Sequence, residues 1–105
     1  MNDWIVLEDG RKYDYHPFYA ATEHIEEILS FRVIQNNYHE IELELVADPL
    51  REVNKESLEK EITGKLEKVI TDYHMVYHYI WKREIEADKT GKLRFIINRM
   101  KEGNS

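Results

Sequence analysis

One amphipathic helix that begins at Asn54 constrains the fold of this 105-residue chain more than any other segment. Asparagine is a favoured N-cap residue, and Val53 and Leu58 have the spacing of a hydrophobic staple around it. The later apolar residues recur every three or four positions and form one stripe: Leu58, Ile62, Leu66, Val69 and Ile70. A helix with one apolar stripe is expected to pack on a sheet or on another helix.

The segment before position 30 predicts a β-hairpin followed by a short helix. Residues 4–7 are an apolar run, Asp9 and Gly10 form a turn signal, and residues 11–15 can return as a strand. Pro17 suits the first position of a helix. The apolar residues expected on one face of that helix are Phe18, Ala21, Ile25, Ile28 and Leu29.

A second hairpin is predicted from residues 31–35 and 40–47, because the four residues between them begin with two asparagines, which favour a turn. In the second of these segments the apolar residues alternate with polar ones and would face the core: Ile41, Leu43, Leu45 and Ala47. Glu42 and Glu44 fall on the opposite face. They are expected to line the solvated edge of an amphipathic strand and to have no catalytic role.

After the long helix, residues 76–81 form a predicted strand, residues 82–92 a polar loop, and residues 93–97 a last strand. The whole order predicts an α+β domain, in which a small mixed or antiparallel sheet is covered by two helices and preceded by an N-terminal β-hairpin. The length suits one domain.

Composition narrows the class of protein further. No apolar run approaches the roughly 18 residues of a membrane helix, and no signal segment opens the chain. The absence of cysteine excludes a disulfide framework and a thiol nucleophile, and it fits a cytoplasmic location. The net charge of −6 disfavours general binding of nucleic acid. The stretch 82–101 nevertheless has seven basic and three acidic residues, which suits one phosphorylated small molecule.

Two side-chain clusters have both a functional and a structural interpretation. His74 and His78 could share a metal ion on a helix, but in a strand they would lie ~13 Å apart, so no metal site is predicted. The aromatic residues between positions 73 and 81 could stack on a base or fill the core. Packing is favoured, because alternate positions of a strand must face inward. These residues are Tyr73, Tyr77, Tyr79 and Trp81.

The polar segment 88–95 also has two interpretations. Gly91 can serve as the left-handed residue of an ordinary turn before an edge strand. Alternatively, Lys92 follows a flexible glycine and can direct its ammonium group toward a phosphate or a carboxylate. The segment is not a P-loop, because the glycines and the helix of that motif are missing.

This segment resembles a known family. The sequence Thr-Gly-Lys-Leu-Arg-Phe-Ile-Ile at 90–97 resembles the terminal TGK-x-R-F-x-I signature of adenylate-forming enzymes. The phenylacetate–coenzyme A ligase branch, with its capsular-polysaccharide biosynthesis relatives, is the most similar. Residues 31–35 and then 40–43 are similar to that branch's F-Q-V-x-Q and E-I-x-V hairpin, and residues 2–11 resemble the segment just after the family hinge.

The resemblance implies that residues 1–105 are a single C-terminal lid domain, with the hinge-following hairpin in residues 1–16 and the α+β body in residues 17–105. It implies a two-step reaction in the cytoplasm. A carboxylic acid and Mg²⁺–ATP give an acyl-adenylate and pyrophosphate, and coenzyme A then displaces AMP to form the thioester. The partner would be the large N-terminal domain of the same enzyme, which would bind ATP, Mg²⁺ and the acid.

The same resemblance implies a set of site residues. Lys92 matches the adenylation lysine, which would hold the carboxylate and the α-phosphate together. Asp3 falls at the hinge, and Gly10 matches the glycine that borders the path of coenzyme A. The residues that would support the lysine loop are Thr90, Gly91 and Arg94.

The chain departs from the family at Glu86, where many members have proline, and it lacks the large domain. By itself it is therefore not expected to catalyse adenylation. Two alternatives belong to other classes: a free-standing α+β binding or regulatory module without catalysis, and a protein-interaction domain that uses the aromatic strand.

Overall fold

The computed structural model describes residues 3–86 and 94–100. The elements in chain order are β1 (Ile5–Val6), β2 (Lys12–Tyr13), α1 (His16–Thr22), β3 (Ile28–Asn37), β4 (Glu40–Ala47), α2 (Lys55–Glu67), β5 (Val76–Lys82) and β6 (Ile96–Asn98). This architecture confirms the predicted α+β class and the N-terminal antiparallel hairpin. No helix within the described residues is long and apolar enough to cross a membrane.

The main sheet has four strands in the order β5-β4-β3-β6. The central pair, β3 and β4, is antiparallel, whereas each outer strand runs parallel to its neighbour. The sheet is therefore mixed. Because β4 and β5 are parallel neighbours, the chain crosses between them through α2 and forms a βαβ unit.

The core lies between one face of this sheet and the two helices. The hairpin β1–β2 adds Ile5 and Leu7 to the same cluster of buried side chains. Helix α1 contributes Phe18 and Ala21. The other buried apolar residues of this core are Ile25, Phe31, Val33, Ile41, Leu43, Leu45, Leu58, Ile62, Leu66, Ile70 and Ile96. Removal of the apolar side chains on this face of the sheet from water is the main driving force for folding of the domain.

Helix α2 begins as predicted. The side chain of Asn54 accepts a hydrogen bond of 3.0 Å from the backbone N–H of Ser57, which satisfies one of the free amides of the first turn. Four of the five residues of the predicted apolar stripe are buried in the core, namely Leu58, Ile62, Leu66 and Ile70. The helix ends at Glu67, and Val69, which lies beyond it, is 44% exposed.

Helix α1 is shorter than the sequence pattern predicts. Pro17 lies in its first turn, but the helix ends at Thr22, and Ile28 and Leu29 belong to β3. The prediction of one helix reaching Leu29 is therefore wrong. The physical reason is the pairing of Ile28 with Ala47 across the sheet, which gives this backbone β partners.

The aromatic residues of β5 alternate toward the core, which confirms their structural interpretation. Tyr77, Tyr79 and Trp81 are half-buried against the core cluster. The hydroxyl of Tyr79 lies 2.6 Å from the Thr63 hydroxyl, and the Trp81 indole N–H donates to Glu59 at 2.9 Å. Burial raises the pKa of Tyr79 to about 12 and also raises the pKa of Tyr77. Tyr77 and Tyr79 are therefore packing residues of the βαβ unit, whereas Trp81 packs with part of its ring and also lines a cleft at the end of β5.

Candidate functional site

Two predicted site residues from opposite ends of the chain meet in the structure. The guanidinium Nη2 of Arg94 lies 2.8 Å from Oδ2 of Asp3, and the backbone N–H of Asn98 donates to the same oxygen at 2.9 Å. The side chains of Asp3 and Arg94 are only 17% and 26% exposed. Charge-assisted bonds that are partly shielded from water are among the stronger polar contacts. They attach Asp3 to the strand β6.

A buried amide joins the hairpin to the sheet. Gln35 is fully buried, and its Oε1 accepts from the backbone N–H of Val6 at 2.9 Å and from Nδ2 of Asn98 at 3.0 Å. Its Nε2 donates to the carbonyl oxygens of Val6 at 2.7 Å and Asn37 at 3.2 Å. Asn98 also donates to the carbonyl of Trp4 at 2.9 Å. The hairpin is therefore part of the body and not a free arm.

Gly10 occupies the tip of this hairpin with a backbone φ of +95°, a region that favours glycine. Its N–H donates to the carbonyl of Leu7 at 3.0 Å. A Cβ placed on Gly10 would meet nothing within 4 Å. The requirement for glycine is thus conformational, and the space beside the backbone is open. Arg11 pairs with Asp9 at 2.9 Å and lowers the pKa of that carboxyl group.

The hairpin tip also contacts the turn between β3 and β4 through His39. The Nδ1 of His39 lies 2.7 Å from the carbonyl oxygen of His74, and its Nε2 lies 3.4 Å from Oε2 of Glu8. The ring stacks on Tyr73 at a centroid distance of 5.0 Å. Because both ring nitrogens face acceptors, the doubly protonated imidazolium is favoured.

This arrangement predicts a pH dependence. The His74 carbonyl, helped by Glu8, raises the pKa of His39 above the ordinary 6.5. The contact therefore stabilises the fold at a pH below the unfolded value, and this contribution is lost as the pH rises through the folded value. We expect Glu8→Gln to lower the pKa of His39 in a histidine NMR titration, and Glu40→Gln, which lies beside His78, to leave it unchanged. A His39 pKa that does not respond to Glu8→Gln would contradict the assignment.

A buried arginine holds the two residues that flank the segment 87–93. Arg32 is 9% exposed, and its Nε donates to the carbonyl of Arg94 at 3.0 Å. Its Nη2 donates to the carbonyl of Glu86. One rigid guanidinium thus binds both flanks of the predicted lysine loop, and we name this arrangement the Arg32 clamp. Thr90, Gly91 and Lys92 lie outside the described residues, so their roles stay predictions.

The Arg32 clamp depends on a buried carboxylate. Glu44 is 6% exposed, and its Oε1 lies 3.8 Å from Nη1 of Arg32. Its Oε2 accepts from the ammonium of Lys82 at 3.0 Å. The expectation that Glu42 and Glu44 line a solvated strand edge is therefore wrong for Glu44. The strand β4 is central in the sheet, and the cations of its two neighbouring strands surround this carboxylate.

Arg32, Gln35 and Asn98 also position the candidate site, although their sequence context did not predict this role. For Gln35 the sequence did contain an indication of burial. This residue follows Phe31 and Val33 at alternate positions, so it lies on the core-facing side of the strand. A polar residue in such a row must find buried partners.

In the part of the chain that the structure describes, the histidines are not brought together with other metal ligands. His78 is exposed on β5 and lies 3.4 Å from Glu40, whereas His74 precedes the strand. Among residues 3–86 and 94–100, no three side chains of histidine, cysteine, aspartate or glutamate are placed to hold a metal ion.

A family model described as the CapK C-terminal domain matches residues 6–99. The chain belongs to the CapK C-terminal domain family. A comparison with curated proteins gives no significant match. The region matched as CapK C-terminal domain contains both helices, the whole four-stranded sheet and the Arg32 clamp, whereas Asp3 precedes it.

Proposed function

We propose that this CapK C-terminal domain is the mobile lid of an acyl-adenylate-forming coenzyme A ligase. The observation that carries the proposal is the ion pair between Asp3 and Arg94. The family resemblance assigns Asp3 to the hinge and Arg94 to the loop of the adenylation lysine. Their contact at 2.8 Å gives a physical connection between these two parts of a lid.

The connection has a mechanical consequence. Because the carboxylate of Asp3 is bound to Arg94 and to the backbone of Asn98, its side chain moves with the body of the domain. Rotation of the lid must then take place in the backbone torsions at Asp3 or before it. The hairpin, held through Gln35, would move with the sheet and present Gly10 in the thioester-forming pose.

The proposed chemistry divides between two domains. The large N-terminal domain would bind the carboxylic acid and Mg²⁺–ATP, and coenzyme A would be the acceptor of the acyl group. The lid would supply the ammonium group of Lys92, which would stabilise negative charge as the carboxylate attacks the α-phosphate and pyrophosphate leaves. The Arg32 clamp supports this role, because a loop with both flanks bound loses less entropy when its lysine is positioned.

The experiment that tests the proposal uses the complete ligase. Lys92→Ala is expected to lower the rate of ATP–pyrophosphate exchange by about 10²–10³, the usual cost of one preorganised charged donor. Thioester formation from supplied acyl-adenylate should be spared. Lys89→Ala removes the other lysine of the same segment and should leave both half-reactions close to wild type. Equal losses in both half-reactions for Lys92→Ala would refute the assignment.

A further inference from the structure

A cleft of about 500 Å³ opens where the parallel strands β4 and β5 end and α2 begins. Its lining residues are Ala47, Pro49, Lys55, Trp81, Lys82 and Arg83. In a βαβ unit the carboxyl ends of the strands and the N-terminus of the helix meet at one edge, and this edge is a frequent place for ligands to bind. The cleft therefore has a position suited to a small molecule.

The charge of the cleft is opposite to that of the chain. Three of its lining residues are cations and none is a carboxylate, in a chain whose net charge is −6. Lys82 pairs with Glu44, but this carboxylate is shared with Arg32, so the group of three keeps one net positive charge. Lys55 and Arg83 have no comparable partner among the ion pairs of the described residues. The cleft is thus suited to an anion of more than one charge.

Trp81 gives the cleft an aromatic wall. Its indole N–H donates to Glu59 at 2.9 Å, which fixes the orientation of the ring. The ammonium of Lys55 lies over the ring, 5.6 Å from its centroid, and this flexible side chain can turn toward phosphates when a base takes its place on the indole face. A planar base can stack on the ring while its phosphates meet the cations.

We propose that this cleft binds a nucleotide, with the phosphates held by Lys55 and Arg83 and the base placed against Trp81. The overall negative charge disfavours a polynucleotide as the ligand, because phosphates beyond the cleft would meet an acidic surface. Binding of a nucleotide at this cleft would require neither the large N-terminal domain nor catalysis of the ligase reaction. It is therefore independent of the proposed lid function.

The test uses the 105-residue chain with Trp4→Phe, which leaves Trp81 as its single tryptophan. Titration with adenosine diphosphate should change the Trp81 fluorescence in a saturable way. The double variant Lys55→Gln/Arg83→Gln should raise the Kd at least tenfold. The matched control, Lys12→Gln/Lys68→Gln, removes the same charge from exposed positions outside the cleft and should change the Kd less than twofold. Far-UV circular dichroism checks that each variant folds.

Competition with inorganic pyrophosphate then tests whether the phosphates or the base of the nucleotide supply most of the binding affinity. It should displace adenosine diphosphate, because the proposal assigns most of the affinity to the phosphates. Failure to compete would overturn that assignment. The absence of a saturable signal, or an equal loss of affinity in both double variants, would overturn the site itself. None of these outcomes bears on ATP–pyrophosphate exchange by the complete ligase, so the two proposals fail separately.

Discussion

Replacing Glu44 by alanine is expected to lower the free energy of unfolding by about 3–5 kcal/mol, the usual cost of removing one partner from a buried ion pair. Arg32 is 9% exposed and would keep its charge without the carboxylate that faces it. Lys82 would lose its 3.0 Å contact. The two cations, on the strands that flank β4, would then repel each other across the space that Glu44 had filled.

Urea denaturation at neutral pH measures this loss. Glu42→Ala is the matched control, because Glu42 lies on the same strand and face and is only half-buried. Its effect should stay within about 1 kcal/mol. A loss below that value for Glu44→Ala would show that Arg32 and Lys82 regain water when the carboxylate is removed. Such a result would contradict the view that this buried charge group stabilises the sheet.

Replacing Gln35 by leucine should lower the free energy of unfolding by about 3–5 kcal/mol, since each buried polar group left unpaired costs about 1–3 kcal/mol. Leucine has a similar volume, so packing is largely kept. The N–H and carbonyl of Val6 and the side-chain amide of Asn98 all lose the same partner. The strand β1 would then be held mainly by its apolar side chains.

Two measurements separate this effect from a general loss of stability. Urea denaturation gives the total change, and hydrogen exchange at the Val6 amide reports local release of the hairpin. Asn36→Ala is the control, because Asn36 is the neighbour of Gln35 and contacts only the exposed Arg99 among the described hydrogen bonds. It should cost less than about 0.5 kcal/mol. Slow exchange at Val6 in Gln35→Leu would mean that the amide has found another acceptor.

Much of the fold could be predicted because its signals are local. The turn at Asp9 and Gly10, the N-cap at Asn54 and the alternation along β4 each involve residues within a few positions of one another. The helix predicted as far as Leu29 failed for the same reason. Spacings of three and four between Ile25, Ile28 and Leu29 suit a helix, but a pattern confined to one segment carries no information about a strand partner near position 47.

The candidate site was predictable only in part. Asp3 and Arg94 could be named by resemblance, but their contact spans 91 positions and has no local signature. Arg32 and Glu44 face each other in the predicted hairpin, but the sequence pattern does not place β5 beside β4 or β6 beside β3, and these outer strands bring Lys82 to Glu44 and the carbonyl of Arg94 to Arg32. An alternating sequence pattern does not distinguish a buried charge from a solvated one. It assigns residues to the two faces of a strand, but it does not show what covers each face. The role of Lys92 remains a prediction.

The position of β6 also bears on how the domain is made in the cell. The body contacts of Asp3, and the hydrogen bond at the carbonyl of Trp4, are formed by residues of 94–98. Within this domain the ribosome synthesises the hairpin before these partners, so the two ends of the domain can join only after residues 94–98 have been made. Contacts so distant in sequence form slowly, because a long loop must close before they are made. A chain interrupted before β6 would therefore have its central strands and an unattached Asp3, and partly folded chains of this kind are prone to misfolding and aggregation.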